Sequence, residues 1–556
     1  MVYKFDKIIR DPVHAYIHLN DLETSIINTK IFLRLQHIKQ SPTAYLTYPS
    51  HHVNRFIHSL GTMELSSKMI FYALEKSPPS VVDKFLKQCT EAFDVELSRA
   101  REYLMQIVRL TGLLHDIGHP AFSHLGEGIL SRDDLLALYG QDNDFKAFSK
   151  ARAGELPKFH EFMTYCLIRD DTELTSLLTK DCNYKKSLLN IFGPNPTGVF
   201  ATIHKIISSD IDADRADFLK RDGMTSGIGF GEYDTMRLVE SMVLYYDGND
   251  FAHIVPTTSA VSTVEAFLVE RYKLYKWLYY HPNVILTDTA LSHLIRKLLQ
   301  WSRVDKHPLG GLLTSADFHH ENYVRDELPF VDETIISKLK ELFLIVKKTK
   351  GQENAWKDDI DLAHSLLRIV LFREKYGKAI IKNISEYRSL DTKLKQKIVD
   401  DKMPYSDQLP DKPLLNNYSK RTAGTLPFAE DERFDKGLSD EKQFVLETER
   451  TNFEPYSIEW YETKKPIAGG GKALLSEEYK SKYFLVDKKT IRPVFVSELS
   501  ETVRRLSEAW RNDMQLFLYV IRFDKPSKED WLNIIDTTKI KLEKQIIDYW
   551  KSDLLR

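Results

Sequence analysis

Leu113-Leu114-His115-Asp116-Ile117-Gly118-His119-Pro120 is the stretch that decides how this chain is read. An apolar, helix-forming run over 101–117 ends in an imidazole and a carboxylate side by side, and Gly118, His119 and Pro120 close it. Proline lacks the N–H that would continue the helix, so the chain turns there. Imidazole and carboxylate together suit a borderline divalent transition metal. Adjacent helical residues diverge by about 100 degrees, so both reach one ion only if it lies across that helix end. Two further ligands must come from elsewhere.

Upstream, NRFIHSLG (54–61) supplies His58, with Arg55 three residues earlier on the same helical face. Downstream, DIDADRADFLKRD (210–222) supplies Asp214, whose face repeats at Phe218 and Asp222. Each piece alone has an ordinary reading. A lone histidine on a helix is more often packed or at the surface than a ligand, and a His-Asp pair arises by chance in long chains. The Asp-rich DIDAD can be a helix N-cap, where acidic groups meet the positive end of the dipole. The conjunction favours a metal site: His, then His-Asp, then Asp, all in helices, with His119, His124 and His160 crowding the same region.

A chain of 556 residues is too long for one core, so two or three packed units are expected. A content of 42% hydrophobic and 28% charged residues is that of an ordinary globular protein. The net charge of −2 and pI near 6.8 give no global reason to expect nucleic acid or an anionic membrane as partner. Cations for any phosphate must therefore be placed locally. Cys89, Cys166 and Cys182 are scattered, which speaks against a disulfide framework or a thiolate zinc site and suits a reducing cytosol. The N-terminus has no continuous apolar core of a signal peptide, and no run approaches the roughly 20 residues of a membrane span. A cytoplasmic protein without membrane contact is expected.

The expected fold class is mainly α. Helical patterns fill most of 20–300, at 56–75, 101–117, 201–221 and 260–281, the last stopping at His281-Pro282. Residues 400–475, rich in Pro, Gly, Asp and Lys, read as long loops. KYFLVD (482–487), IRPVFV (491–496) and LFLYVIRF (516–523) read as strands, with a helix at 497–511. This gives a helical catalytic domain over 1–300 and a mixed α+β C-terminal lobe over 301–556. Gly469-Gly470-Gly471-Lys472 looks like a phosphate loop, but Ala473 stands where a magnesium-binding hydroxyl is needed, and Pro466 replaces the first glycine. It reads as a surface turn.

The ordered set RDPVH, RLQHIKQ, NRFIHSLG, LLHDIGHPAFSH, KFHE and DADRADFLKRD resembles the HD-domain dNTP triphosphohydrolases. That family includes the animal SAM- and HD-domain enzyme and related bacterial HD phosphohydrolases. The match runs over about residues 6–285 and only loosely beyond, and the early DPVH implies that no SAM domain precedes it. The resemblance implies a helical HD-domain core, with His58, His115, Asp116 and Asp214 as metal ligands. It implies Arg55, His119, His124 and Arg215 on the phosphates, and His160 as catalytic histidine with Glu127 as its acidic partner. Gln40 and Asp222 fall on positions that hold the sugar 3′-hydroxyl, and Arg271 and Tyr279 on nucleotide-contacting positions. Phe218 replaces a family tyrosine beside the sugar. The implied cofactor is one divalent ion (manganese, magnesium, iron, nickel or zinc), with magnesium carried on the nucleotide phosphates. The implied partners are a dNTP substrate, a nucleotide activator and further copies of the chain in a dimer or tetramer. Asn28, Leu33 and Gln36 occupy the animal enzyme's guanine-reading positions and have lost its chemistry, so activation by GTP there is not expected.

The chemistry is coherent on its own terms. A bound divalent ion lowers the pKa of its water towards about 7, making hydroxide available for attack on an alpha phosphorus. Arginines and histidines offset the charge on the phosphoryl oxygens, and a histidine protonates the leaving 5′-oxygen. His160 leads for that role, with His119 or His124 behind it. The products would be a deoxynucleoside and inorganic triphosphate. Competing readings are another HD phosphodiesterase or nuclease, or a nucleotide-sensing protein. Gln40, Asp222 and Tyr279 favour a mononucleotide pocket over an open groove. A complete ligand set with His160 and Arg55 exceeds what a pure binder needs.

Overall fold

Two helices lead to the expected ligands His58, His115 and Asp116. Arg55–Lys76 starts where the Asn54 side chain accepts the Ile57 N–H, and it stops before Ser77-Pro78-Pro79. Leu97–Leu114 is buried along nearly its whole second half, and the two helices pack side by side. The second helix begins and ends earlier than the 101–117 pattern implied. His115 caps it and Asp116–Gly118 already form the turn, so the two ligands do not both lie on helix.

The computed structural model describes residues 5–403 except 153–156, 181, 248, 326–327 and 352–354. Beyond 403 it describes 443–449, 484–486, 493–495, 500–503, 505–506, 516–522, 527–551 and the single residues 406, 409, 414 and 525. Among the described residues the fold is mainly α-helical, with small sheets.

The expected helix over 201–221 is two helices, Gly198–Ile207 and Ala213–Ser226. The break is made by Asp212, whose carboxylate accepts the N–H groups of Ser209 and Arg215 at 2.8 and 2.7 Å and starts the second helix. The helix over 260–281 is Val261–Leu274, continued by a π-helical turn at Tyr275–Tyr279, and it ends at His281-Pro282. Two hairpins inside the helical part were not anticipated. Lys7–Asp11 pairs with Ala15–Leu19 through a turn in which Asp11 Oδ1 accepts the N–H groups of Val13 and His14. Met242–Tyr246 pairs with Ala252–Pro256.

The C-terminal part is α+β. Helices Pro282–Trp301, Asp332–Thr349, Lys357–Phe372 and Ile384–Asp400 accompany an antiparallel sheet. Its central strand Leu516–Arg522 lies between Gly377–Ala379 and Gln443–Glu449, with Tyr519 opposite Ala379 on one side and Leu446 on the other. The strand Gln443–Glu449 corrects the reading of 400–475 as loops throughout: its QFVLETE finds seven partners on the central strand. Phe484–Val486 and Pro493–Phe495 pair antiparallel, inside the strands expected there. Residues 501–503 and 505–506 are helical, within the expected 497–511, and a further helix spans Lys528–Lys551. Most of 400–475, Gly469–Lys472 included, lies outside the described residues. One continuous buried core runs from Ile17 to Ile547. All three cysteines are free, and no helix among the described residues is long and apolar enough to cross a membrane.

Candidate active site

The four expected metal ligands converge. His115 directs Nδ1 to the Gly112 carbonyl at 2.8 Å, which leaves its Nε2 facing inward without a hydrogen bond. That Nε2 lies 3.3 Å from Asp116 Oδ1 and 3.8 Å from Asp214 Oδ1. His58, fully buried, directs Nδ1 to Asp217 Oδ2 at 2.8 Å. Its Nε2 lies 3.0 Å from Asp214 Oδ1 and 3.5 Å from Asp116 Oδ2. Burial opposes a charge on His58, yet Asp214 and Asp217 more than offset this and push its pKa up to about 10. The surroundings thus demand positive charge at that point. Two imidazole nitrogens and two carboxylates around one buried centre fit a divalent cation, which displaces such a proton on binding. Arg55 donates to Asp116 Oδ2 at 2.5 Å, and despite burial its charge holds that carboxyl well below the usual carboxylate range.

Behind His58 stands a network that sequence reasoning missed. Asp217 takes His14 Nε2 at 2.6 Å on Oδ1 and is gripped by Arg221 through both oxygens at 2.8 Å. Arg221 also reaches Asp11 at 2.7 Å. Gly61 makes room for this carboxylate: a Cβ there would lie 1.9 Å from Asp217 Oδ1. The signal was present, since RDPVH contributes Asp11 and His14, and Asp217 follows Asp214 by three residues on one helix.

On the other side of Asp116, His119, His124 and His160 gather around Glu127. Asp116 Oδ1 is 3.3 Å from His119 Nε2. Glu127 takes His124 Nδ1 on Oε1 at 2.7 Å and His160 Nδ1 on Oε2 at 2.8 Å, and lies 3.3 Å from His119 Nδ1. Although burial works against its charge, the histidines hold Glu127 well below the usual range. Burial lowers the His160 pKa, but Glu127 outweighs it and raises it above the ordinary value. His119 is lowered well below the usual range, first by burial and then by Arg55 and His160. Gly118 lets the His160 helix, Phe159–Asp170, dock on this turn, because a Cβ would lie 2.2 Å from the Thr164 nitrogen. Thr164 Oγ1 accepts the Gly118 N–H and donates to the His115 carbonyl.

Of the expected nucleotide residues, Arg215, Phe218, Asp222, Arg271 and Tyr279 lie on neighbouring helices, and Gln40 in the bend after Arg34–His37. Asp222 is fully buried; its Oδ2 accepts the Tyr279 hydroxyl at 2.5 Å and its Oδ1 has no partner. The Phe218 ring lies edge-on to Tyr279, 6.4 Å between centroids. Gln40 is placed by its backbone, N–H to the Val53 carbonyl at 2.9 Å, and its side-chain oxygen is buried without a partner. Arg215 folds back onto Asp212 and the Ser209 carbonyl. Arg271 is buried beside it, its pKa lowered by burial and then by the Arg215 charge. Tyr275 lies within electrostatic reach of Arg271, Arg215, Asp214 and Asp222, which places these residues in one neighbourhood. Arg55 keeps Nη2 buried and without a hydrogen-bond partner, beside the expected metal ligand Asp116. At the guanine-reading positions, Asn28 ends the helix Asp21–Ile27 and spends its amide on the Thr24 carbonyl.

No family model matches the chain. Over 326 residues it is 30% identical to an uncharacterized protein of Methanocaldococcus jannaschii, which covers 58% of this chain and 57% of that one. Over 305 residues it is 25% identical to an HD domain-containing protein of Acanthamoeba polyphaga mimivirus, covering 52% and 58%. Over 122 residues it is 36% identical to the deoxynucleoside triphosphate triphosphohydrolase of Homo sapiens, but that is 22% of this chain and 17% of the human one. The chain thus spans a little over half the length of the first two relatives. The crystal structure of a phosphohydrolase from Bacteroides thetaiotaomicron has the same fold, with TM-score 0.52 at 17% identity over 93% of this chain and 99% of that one.

Proposed function

The chain belongs to the HD-domain family, and from that premise we propose that it is a divalent-metal-dependent dNTP triphosphohydrolase, cleaving a dNTP into a deoxynucleoside and inorganic triphosphate. One observation carries the reading: the ligand set His58, His115, Asp116 and Asp214 shares Asp116 with an acid–base group in which Glu127 holds a proton on His160. A binder or sensor has no use for the second half of that arrangement. Nucleotide triphosphate as substrate is supported by the match to the human enzyme and by the cations Arg215 and Arg271, which lie close enough for each to feel the other's charge.

When bound, a divalent ion supplies Lewis-acid charge at the phosphoryl group and lowers the pKa of its water. The protein does the rest. Arg55 Nη2, Arg215 and Arg271 offset charge on the triphosphate, and neutral His119 donates a hydrogen bond without adding a charge. His160 gives its proton to the 5′-oxygen as the bond to the alpha phosphorus breaks, and Glu127 holds the imidazole in place. Gln40 and Asp222 offer buried, unpaired oxygens to the sugar hydroxyl. The reading carries a cytoplasmic, homo-oligomeric enzyme with it.

Incubation with each dNTP, singly and mixed, with manganese or magnesium, tests this. Triphosphate and deoxynucleoside are expected as first products. Phosphate or pyrophosphate would move the enzyme to another reaction class, and no turnover in any mixture would remove the proposal.

A further inference from the structure

The turn 115–123 carries His115, Asp116 and His119, and the carbonyl groups of Ile117, Gly118 and His119 lie outside any helical ladder. Three successive carbonyls are satisfied from outside. Arg34 Nη2 donates to Ile117 and His119 at 2.8 and 2.9 Å, and the Tyr323 hydroxyl donates to Gly118 at 3.2 Å. Arg34 is fully buried and lies 4.1 Å over the Tyr323 ring, so the two donors brace each other.

The far end of the turn is strained. Phe122 and Ser123 have φ of 62° and 52°, left-handed values that non-glycine residues adopt only when their surroundings impose them. The constraint is Asp332, first residue of the helix Asp332–Thr349. Its Oδ1 accepts the Phe122 N–H at 2.6 Å and its Oδ2 the Lys39 N–H at 3.0 Å. Ser123 then donates to the Lys39 carbonyl at 2.5 Å and accepts from Arg55 Nε at 3.0 Å, which aims Arg55 at Asp116.

We propose that Tyr323 and Asp332, some 200 residues beyond the turn, are positioning residues that hold 115–123, and through it Asp116, His119 and Arg55, in working geometry. Neither touches the site directly, and the inference rests on the hydrolytic reading given above. Tyr323→Phe keeps the ring over Arg34 and removes only the bond to Gly118. Asp332→Asn leaves one acceptor oxygen for two N–H groups and presents an NH2 to the other.

Amide hydrogen exchange of the metal-free full chain tests this, alongside kcat and KM for a dNTP. In both variants exchange across 115–123 should rise about tenfold, with helix Arg55–Lys76 unchanged. kcat should fall about tenfold while KM moves less than about twofold. Unchanged exchange in the turn in Tyr323→Phe overturns the proposal, as does equal acceleration along the whole chain. So does a loosened turn with full kcat. If the unmodified enzyme turns over no nucleotide, the functional reading is lost, and the exchange data still decide whether these residues hold the turn.

Discussion

The imidazole of His160 lies flat against that of His119, 4.3 Å between centroids and 9° between planes, and their neighbours push the two in opposite directions. His119, buried next to Arg55, sheds its proton, whereas His160, facing Glu127, retains one above the ordinary histidine range. The surroundings thus favour a cationic ring at His160 and a neutral one at His119, and the cationic ring is the stronger acid at neutral pH.

His160→Gln should therefore lower kcat by about 10²–10⁴-fold with metal content unchanged. In the unmodified enzyme kcat should fall as pH rises through the raised His160 pKa. Glu127→Gln removes the charge that raises it, so this alkaline limb should move to lower pH. Profiles that superimpose in the two proteins would place the acid elsewhere.

His115→Ala and Asp116→Ala should lose bound metal and nearly all turnover while the helical content stays near normal. Asp217→Asn should weaken metal binding by about 10–100-fold, since it orients His58 rather than binding itself. Elemental analysis and a competition titration against a chelator measure both. Full metal content in either alanine variant would remove the ligand assignment.

Gly118→Ala should cost more activity than stability. The added methyl meets backbone, the Thr164 nitrogen at 2.2 Å and the His160 carbonyl at 2.4 Å, so the helix Phe159–Asp170 must retreat and carry His160 from Glu127. Overpacking of this kind costs about 1–3 kcal/mol. A lowered Tm with kcat reduced at least about tenfold is expected. Retained kcat would show that His160 need not sit where it does.

Asp288 should make the fold less stable as pH rises. Burial pushes its carboxyl up to about 7, against the hydrogen bond from Thr43 Oγ1 at 2.6 Å. The folded state then binds this proton more tightly than the unfolded chain, whose carboxyl titrates near 3.9. The stabilisation is complete below that value and lost as pH climbs towards about 7. Asp288→Asn should accordingly gain stability relative to the unmodified protein at about pH 8 compared with about pH 5. An equal difference in Tm at both values would contradict the shift.

Sequence alone determined the helical class of the first half and the groups that meet in it. His58, His115 and Asp214, which the fold brings together, were legible as candidate ligands because metal binding calls for particular side chains, and the helices at or beside them have apolar periodicities that show over a dozen residues. The pairing of His160 with Glu127 came through resemblance, for KFHE has no periodicity of its own. Tertiary structure decided the rest. Asp116 acts from a turn rather than from the helix, because the chain leaves helical geometry at His115. The break before Ala213 depends on Asp212 choosing to cap rather than continue. Gln443–Glu449 became a strand only because Leu516–Arg522 lay beside it. Asp217 behind His58, and Tyr323 and Asp332 behind the turn 115–123, are ordinary residues in sequence. They meet their partners across about 160 to 210 positions, a distance over which no local pattern reaches and only packing brings a donor to its acceptor.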